Sequence, residues 1–483
     1  MSATVATSGT LGRLRSALRS GDFRKLLGIR LSGQGGDGIF QVALLAVAVF
    51  DPKQVNTTRE LLWATAATVL PYTLLGPFVG VFIDRWPRRK ILTIAPLLKI
   101  AFVPLVLFDP LHMPTKALFY LGAFGVLSIN RFQLAAASAI VPRLVPADDL
   151  LIANSVATVG GTLALLAGGF IGGHIAGAIG SGSVILIATT AWLSASIVAS
   201  RIRSDLAPMT LEESPELLRH AIRRIFAETL DGARTMFRTP HAIGPISSIT
   251  IDQVGQGVML TLALVVFREE LGEGVASFSN LLLAGGVGVL LGIATGGFLE
   301  DRLPKERMVS LGFLVGGIVL IGATVAIEGP IILLVAGVLG LTFAWKKVAV
   351  DTMVQESLPD GYRGRVFSVY DVFYNTARIA AAVIAVVAFP VLTPAWTMTI
   401  VGAAFLLWTP VLPWLVSHRA QIDLAMNEAG VPTSLRWGAA AEPVAVLAAS
   451  AAGYRLELED GSVIDVRKAA NAPGWTVLRE REG

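Results

Sequence analysis

Apolar residues gather along this chain into long, nearly uninterrupted runs. These centre near residues 33–50, 61–83, 91–108, 116–141, 150–177 and 182–200. After a polar stretch they resume near 243–267, 275–300, 307–328, 330–357, 364–391 and 394–417. A membrane-spanning helix needs about 20 mostly apolar residues. The pattern therefore predicts an all-α membrane protein of twelve transmembrane helices in two six-helix bundles. The polar segments set the boundaries: a lead-in (1–30), a first bundle (31–200), a middle linker (201–242), a second bundle (243–417) and a tail (418–483).

Basic residues orient the spans, because cytoplasmic loops are enriched in Lys and Arg. The lead-in carries Arg13, Arg15, Arg19, Arg24, Lys25 and Arg30. The second-to-third connection carries Arg85, Arg88, Arg89 and Lys90, and the linker carries Arg201, Arg203, Arg219, Arg223, Arg224, Arg234 and Arg238. Alternate connections, such as 109–114 and 272–274, are short and poor in base. Both termini are expected in the cytoplasm, with the chain in the inner (plasma) membrane. The lead-in lacks an apolar core followed by a small-residue cleavage site, so it reads as an amphipathic cytoplasmic segment. In the linker, Leu217, Ile222, Ile225, Phe226, Leu230 and Met236 recur near helical period behind a possible Ser214 cap, predicting an amphipathic helix. In the tail, residues 454–468 alternate apolar and polar around Asp460-Gly461, the signal for a β-hairpin in a small β element; a weaker alternation recurs over Gly474–Leu478.

Composition narrows the chemistry. Hydrophobic residues make up 54% and charged residues only 15%, against about 25% charged in soluble domains. Lipid takes the place of water around such a surface. The net charge of +4 is accounted for by loop arginines, so no nucleic-acid partner is expected. There is no cysteine, and the five histidines have no metal-ligand spacing. No metal or other cofactor is expected, and no Ser/His/Asp set or phosphate-cradling glycine loop suggests an enzyme.

The chain repeats itself. Gly80, Asp84, Arg85 and Pro87, followed by Arg88, Arg89 and Lys90, close the second run. Gly297, Asp301, Arg302, Pro304 and Lys305 close the eighth, with Asp84 and Asp301 217 positions apart. Pro146 and Pro359 end a second matching segment at an offset of 213, and Asp37 and Asp252 match at 215. Near-constant offsets argue that one six-helix unit was duplicated, as in many transporter folds.

The Gly-x-x-x-Asp-Arg-x-x-basic-basic loop and its degenerate repeat resemble the loop motif of the major facilitator superfamily. The resemblance spans about residues 20–417; Pro87 and Pro304 stand where that family usually has Gly. Phe23–Leu27 with Arg30, Leu31, Gly36 and Asp37, then Val145–Leu150 with Ala153 and Asn154, then Gln355, Pro359 and Arg363–Phe367, resemble its drug-efflux-like (drug:proton antiporter) branch. The fifth-helix motif of that branch is partly kept in Gly168–Gly173, with Gly169 where the family has Pro. The resemblance implies alternating access and a gate at the motif loop. Gly80, Asp84, Arg85, Arg88, Arg89, Gly297, Asp301 and Arg302 are its motif residues. Asp84 is expected to latch onto Arg363 or Arg365 at the start of the eleventh helix.

Charge inside a bilayer is costly and so faces a cavity or a partner. Asp37, among Gln34, Gly35 and Gly36, and Asp252, near Gln253 and Gln256, are candidates for proton or sodium coupling; the alternative is pairing with a loop arginine at the cytoplasmic rim. Arg131 resembles the fourth-helix Arg of proton-coupled members, and its expected role is to tune a carboxylate or bind an anion. Asn130 and Gln133 flank it. Lys346, Lys347 and Asp351 interrupt the tenth run, and Lys347 and Asp351 stack at a spacing of four. Lys99 interrupts the third. Asp371, Tyr374, Asn375 and Arg378 share one side of the eleventh, as cavity lining would. His174 reads as a satisfied helix-end histidine. The expected function is proton-coupled export of amphiphilic or drug-like small molecules by a monomer embedded in membrane lipids. A lipid or lysolipid flippase and a non-transporting interaction protein are the alternatives.

Overall fold

The computed structural model describes residues 10–50, 86–108, 117–203, 240–272, 274–357 and 360–419, the strands between 423 and 481, and the isolated helical positions 230, 233 and 236. The second predicted run, the loop carrying Gly80, Asp84 and Arg85, and most of the linker lie outside the described residues.

A short helix, α1 (Thr10–Arg19), turns into the first long one, α2 (Gly21–Leu45), which ends in a π-turn over Ala46–Phe50. The predicted run began some ten residues later, because the basic first turns of α2 read as lead-in. Ser20 caps α2, its Oγ accepting from Phe23 N at 3.2 Å, and Asp22 complements the helix dipole. The N-terminal half continues with α3 (Arg88–Phe108), α4 (Ala117–Ala139), α5 (Leu150–Ile179) and α6 (Ser181–Ser200). Gly180, at φ +88°, separates α5 from α6 in a backbone conformation that side chains resist. The C-terminal half comprises α7 (Pro240–Val265), α8 (Val275–Glu300), α9 (Lys305–Gly322), α10 (Gly329–Glu356), α11 (Asp360–Ala388) and α12 (Pro394–Trp408), followed by α13 (Val411–Arg419). Nine helices among the described residues are long and apolar enough to cross a membrane. The equally long α2 and α11 carry more polar side chains.

The two halves repeat each other in packing. The pairs α2–α5, α3–α4 and α3–α6 of the first half match α7–α11, α9–α10 and α9–α12 of the second. Glycine lets backbones meet where these helices cross. A Cβ on Gly168 of α5 would lie 2.1 Å from the Gly35 carbonyl of α2, and one on Gly340 of α10 would lie 2.1 Å from the Gly285 carbonyl of α8. Without a hydrophobic drive between helices in lipid, such close approach is what holds them.

Among the described residues the halves meet chiefly along α5 and α8, which run antiparallel. Their contact runs from where α5 ends and α8 begins to the middle of both helices: a Cβ on Gly173 would fall 2.5 Å from Ser279 Cβ, one on Gly177 3.6 Å from Ala276 Cβ, and one on Gly286 2.3 Å from Leu166 Cδ2. At the other, arginine-rich end, α5 exposes Leu151 and Val159, and α8 exposes Leu291 and Phe298.

The tail forms more than the hairpin the sequence predicts. Six strands, β1 (Asp423–Met426), β2 (Pro432–Trp437), β3 (Ala440–Ser450), β4 (Gly453–Leu458), β5 (Val463–Lys468) and β6 (Trp475–Arg481), make an antiparallel meander in sequence order. The long β3 pairs first with β2 and then with β4. Leu435, Leu456, Leu458, Ile464 and Val466 form its core. The predicted hairpin is β4–β5.

Candidate functional site

Each half buries one aspartate on its first helix against a lysine. In the N-terminal half, Lys99 of α3 donates to Asp37 Oδ1 at 2.7 Å and to Asn130 Oδ1 of α4 at 3.0 Å. Trp192 Nε1 of α6 reaches the same Asp37 oxygen at 2.9 Å. Gly36 admits the indole: a Cβ there would lie 2.9 Å from the Trp192 ring. In the C-terminal half, Lys346 of α10 pairs with Asp252 of α7, both without exposed side-chain surface. Its ammonium lies 4.5 Å from the Phe313 ring centroid and 4.8 Å from that of Phe405, a cation–π clamp that replaces lost hydration. Gly312 makes room for the lysine stem, since a Cβ there would come within 2.8 Å of Lys346 Cγ. Among the described residues neither aspartate pairs with a loop arginine. Asp252 Oδ2 is buried and accepts no hydrogen bond among the described residues.

The repeat is asymmetric in its cations. Arg131 and Lys346 stand 215 positions apart, the offset that relates Asp37 to Asp252. Lys346 takes Asp252, whereas Lys99, from a different helix, has taken Asp37. Arg131 instead lies within electrostatic reach of Asp371 on α11, across the boundary between the halves, together with Lys347 and Asp351. Lys347 Nζ donates to Asp351 Oδ1 at 2.7 Å, and Tyr370 OH donates to the same oxygen at 2.8 Å. The Lys347 ammonium also stands 5.0 Å from the Tyr370 ring and 5.7 Å from the Tyr374 ring. Tyr374 in turn lies within reach of Arg378 and Asp252. Asn375 Nδ2 turns back to the Asp371 carbonyl at 2.7 Å. The result is a mixed-charge face built from α4, α10 and α11 in front of the Asp252–Lys346 pair.

Beside this face lies an apolar cavity of about 280 Å³ between α7, α8 and α10. Met259, Leu282, Leu339 and Phe343 are among its lining, and Gln256, one turn beyond Asp252, donates to the Leu339 carbonyl at 3.1 Å. Phe343 is one turn before Lys347. A molecule seated here presents apolar atoms to the cavity and polar ones to the charged face.

Other predicted residues fall elsewhere. Gln34 and Gln133 are packed between helices, each with a buried Oε1 that has no partner among the described residues. His174 Nδ1 bonds the Phe170 carbonyl of its own helix at 2.9 Å. Arg88 reaches the Ala139 carbonyl at 3.1 Å and Arg89 the Ser200 carbonyl, so both tie α3 to neighbours within the N-terminal half. Arg302 folds back onto Phe298 and its carbonyl, next to Asp301 and Gly297 at the end of α8. Arg363 and Arg365 lie in helical backbone whose side chains are outside the described residues, as is Asp84. In the sequence Lys99 stands out without its partner, and nothing in the linear pattern marks Trp192 or Tyr370. A lone lysine in an apolar run was the one available signal.

Two helical halves that repeat their packing and hold charge between them define a major facilitator superfamily transporter, a multi-pass membrane protein. Within that superfamily the chain belongs to the MFS_3 family, described as transmembrane secretion effector, whose profile matches residues 53–441. An uncharacterized MFS-type transporter of Mycobacterium tuberculosis (strain ATCC 25618 / H37Rv) is 26% identical over 419 residues, covering 84% of this chain and 94% of the relative. Among solved structures, a POT family transporter in complex with a thioalcohol-conjugated peptide aligns at a TM-score of 0.65 and 12% identity, over 83% of this chain and 96% of that one. A D-xylose–proton symporter aligns at 0.58 and 18% identity, over 82% and 97%. These likenesses establish the fold. Strands β4–β6 lie beyond the family match.

Proposed function

We propose that this chain exports amphiphilic small molecules in exchange for protons, by alternating access in a twelve-span bundle with both termini in the cytoplasm. The observation that carries the reading is the buried Asp252–Lys346 pair, with one carboxylate oxygen unpartnered among the described residues, one helical turn from the cavity-lining Gln256 and within electrostatic reach of Tyr374 on the mixed-charge face. A proton taken up at Asp252 neutralises the carboxylate and frees Lys346. The field felt by Arg131, Lys347 and Asp371 then changes, at the boundary where the halves must part. Asp37, held by Lys99, Asn130 and Trp192, is the matching coupling site of the other half, and Arg131 biases the carboxylate facing it. The positive-inside rule makes the arginine-rich end cytoplasmic. The α5–α8 seam then closes the outer side, and the resting crevice opens inward. The partly kept drug-efflux pattern and the proton-coupled symporter of like fold support protons as the driving ion.

The test is transport by full-length protein in proteoliposomes under an imposed pH gradient, with lipophilic dyes as probes. Dye export should acidify the compartment that the dye leaves, and Asp252→Asn or Asp37→Asn should abolish gradient-driven transport. Scrambling of labelled lipid with no proton flux, or transport driven equally by a sodium gradient, would overturn the reading.

A further inference from the structure

The arginine-rich end of the N-terminal half carries a second, polar cavity of about 870 Å³. It lies where the α1–α2 corner, the start of α3 and the end of α6 converge, and Asp22, Lys25, Arg89, Arg201 and Arg203 line it. Among the described residues four cations face one carboxylate, and that carboxylate is already engaged. Asp22 Oδ1 accepts from Lys25 Nζ at 2.6 Å, and Oδ2 accepts from the Arg203 backbone N–H at 3.1 Å. Lys25 also donates to the Arg201 carbonyl at 2.7 Å, and Arg89 donates to the Ser200 carbonyl. The carbonyls of Ser200, the last residue of α6, and of Arg201 just beyond it thus hold a guanidinium and an ammonium at the cavity wall. Arg89 uses one of its five donors in that contact. The exposed Arg201 and Arg203 complete a site with a surplus of three positive charges among the described residues.

Depth and surroundings say what fits. The apolar spans of α3 and α6 begin at Arg88 and end at Ser200, so the cavity sits at the level of lipid headgroups. Directly membraneward, α3 exposes Ile94, Leu97 and Leu98, and the α6 packed beside it exposes Leu193 and Ile197. Ile197 is one turn from Arg201. A soluble anion has no use for that apolar face, whereas a diacyl phosphate uses both parts. We infer that this cavity binds the phosphodiester headgroup of an anionic phospholipid, whose acyl chains lie along α3 and α6. Basic clusters at a membrane interface hold such headgroups by charge. The site is separate from the transport face and does not depend on the substrate or coupling ion.

The experiment is native mass spectrometry of full-length protein released from nanodiscs containing equal phosphatidylglycerol and phosphatidylcholine. Wild type is expected to retain phosphatidylglycerol roughly tenfold over phosphatidylcholine. Arg201→Gln/Arg203→Gln leaves the α6 caps in place and should bring retention near parity, while Arg201→Lys/Arg203→Lys should keep the preference. Equal retention of the two lipids by wild type, or an unchanged preference in the Gln double variant, would overturn the proposal. Displacement of the lipid by millimolar inorganic phosphate would reassign the site to a soluble anion. Loss of transport in Asp252→Asn with lipid retention intact would leave it standing.

Discussion

Lys99 and Asp37, 62 positions apart on different helices, form an ion pair at 2.7 Å with almost no solvent around either group. Two opposite charges in such a place stabilise the fold little as a pair, because desolvation offsets their attraction; one charge left alone is another matter. Lys99→Met, which strands Asp37 beside Trp192, should therefore destabilise the N-terminal half by about 3–5 kcal/mol. Asp37→Leu/Lys99→Leu should recover most of that loss. Thermal unfolding of the purified protein in detergent, followed by tryptophan fluorescence, separates the two cases. A double variant as unstable as Lys99→Met would show that Asn130 and Trp192 need the charges to be held. The double variant should also be folded yet inactive in gradient-driven transport, which distinguishes a coupling role for Asp37 from a scaffolding one.

The α2–α5 crossing offers a sharper test of packing than the charges do. Gly35 and Gly168 touch across it, but their spare volume differs. A Cβ on Gly35 meets the Ala164 carbonyl at an ordinary 3.7 Å, whereas one on Gly168 meets the Gly35 carbonyl at 2.1 Å. Backbone cannot swing aside as a side chain can. Gly168→Ala should cost about 1–3 kcal/mol, the range for overpacking a tight core. Gly35→Ala should be close to neutral. Thermal unfolding midpoints of the two variants check this, and equal midpoints would mean that α5 shifts freely against α2.

The tail sheet separates burial from surface pairing. Arg455 on β4 grips Asp465 on β5 with two hydrogen bonds of 2.7 and 3.0 Å at the sheet surface, the arginine exposed and the aspartate half-buried. The carboxylate holds the guanidinium pKa above its already high ordinary value. Exposed pairs of this kind contribute less than about 1 kcal/mol. Leu456, next along β4, is fully buried among Leu435 and Ile464, and its truncation to Ala should cost about 2–5 kcal/mol. Hydrogen exchange of the β4 and β5 amides in the full chain should speed up markedly in Leu456→Ala and hardly at all in Asp465→Ala.

Much of the helical plan was legible along the chain because lipid demands long apolar runs, and the duplication showed in the spacing of Asp37 to Asp252. The partners of those aspartates were not legible. Lys99 reaches Asp37 only because α3 packs on α6 and Gly36 lets Trp192 in, none of which a linear pattern carries. Lys346 read as a cavity residue and is instead sealed by Phe313 and Phe405, rings that look like ordinary core in the sequence. In the tail, the β4–β5 hairpin announced itself by alternation around Asp460-Gly461. The alanine-rich β3 alternates too weakly to be read, although it is the strand that joins the two parts of the sheet.

The last prediction concerns the seam between the halves. Gly177 on α5 and Ala276 on α8 belong to different halves, and a Cβ built on Gly177 lies 3.6 Å from that of Ala276. That separation falls within the roughly 3.5–4.5 Å that a disulfide requires. The chain contains no cysteine of its own, so an engineered pair has no competing thiol. Gly177→Cys/Ala276→Cys should crosslink under mild oxidation, visible as a mobility shift after cleavage between the halves. If the halves must separate at this end in each cycle, the crosslinked protein should bind substrate from the arginine-rich side and fail to release it across the membrane. Reductant should restore turnover, and either single cysteine variant should transport with or without oxidant. Transport that continues through a complete crosslink would mean that the α5–α8 seam is a fixed hinge, and that any opening between the halves takes place elsewhere.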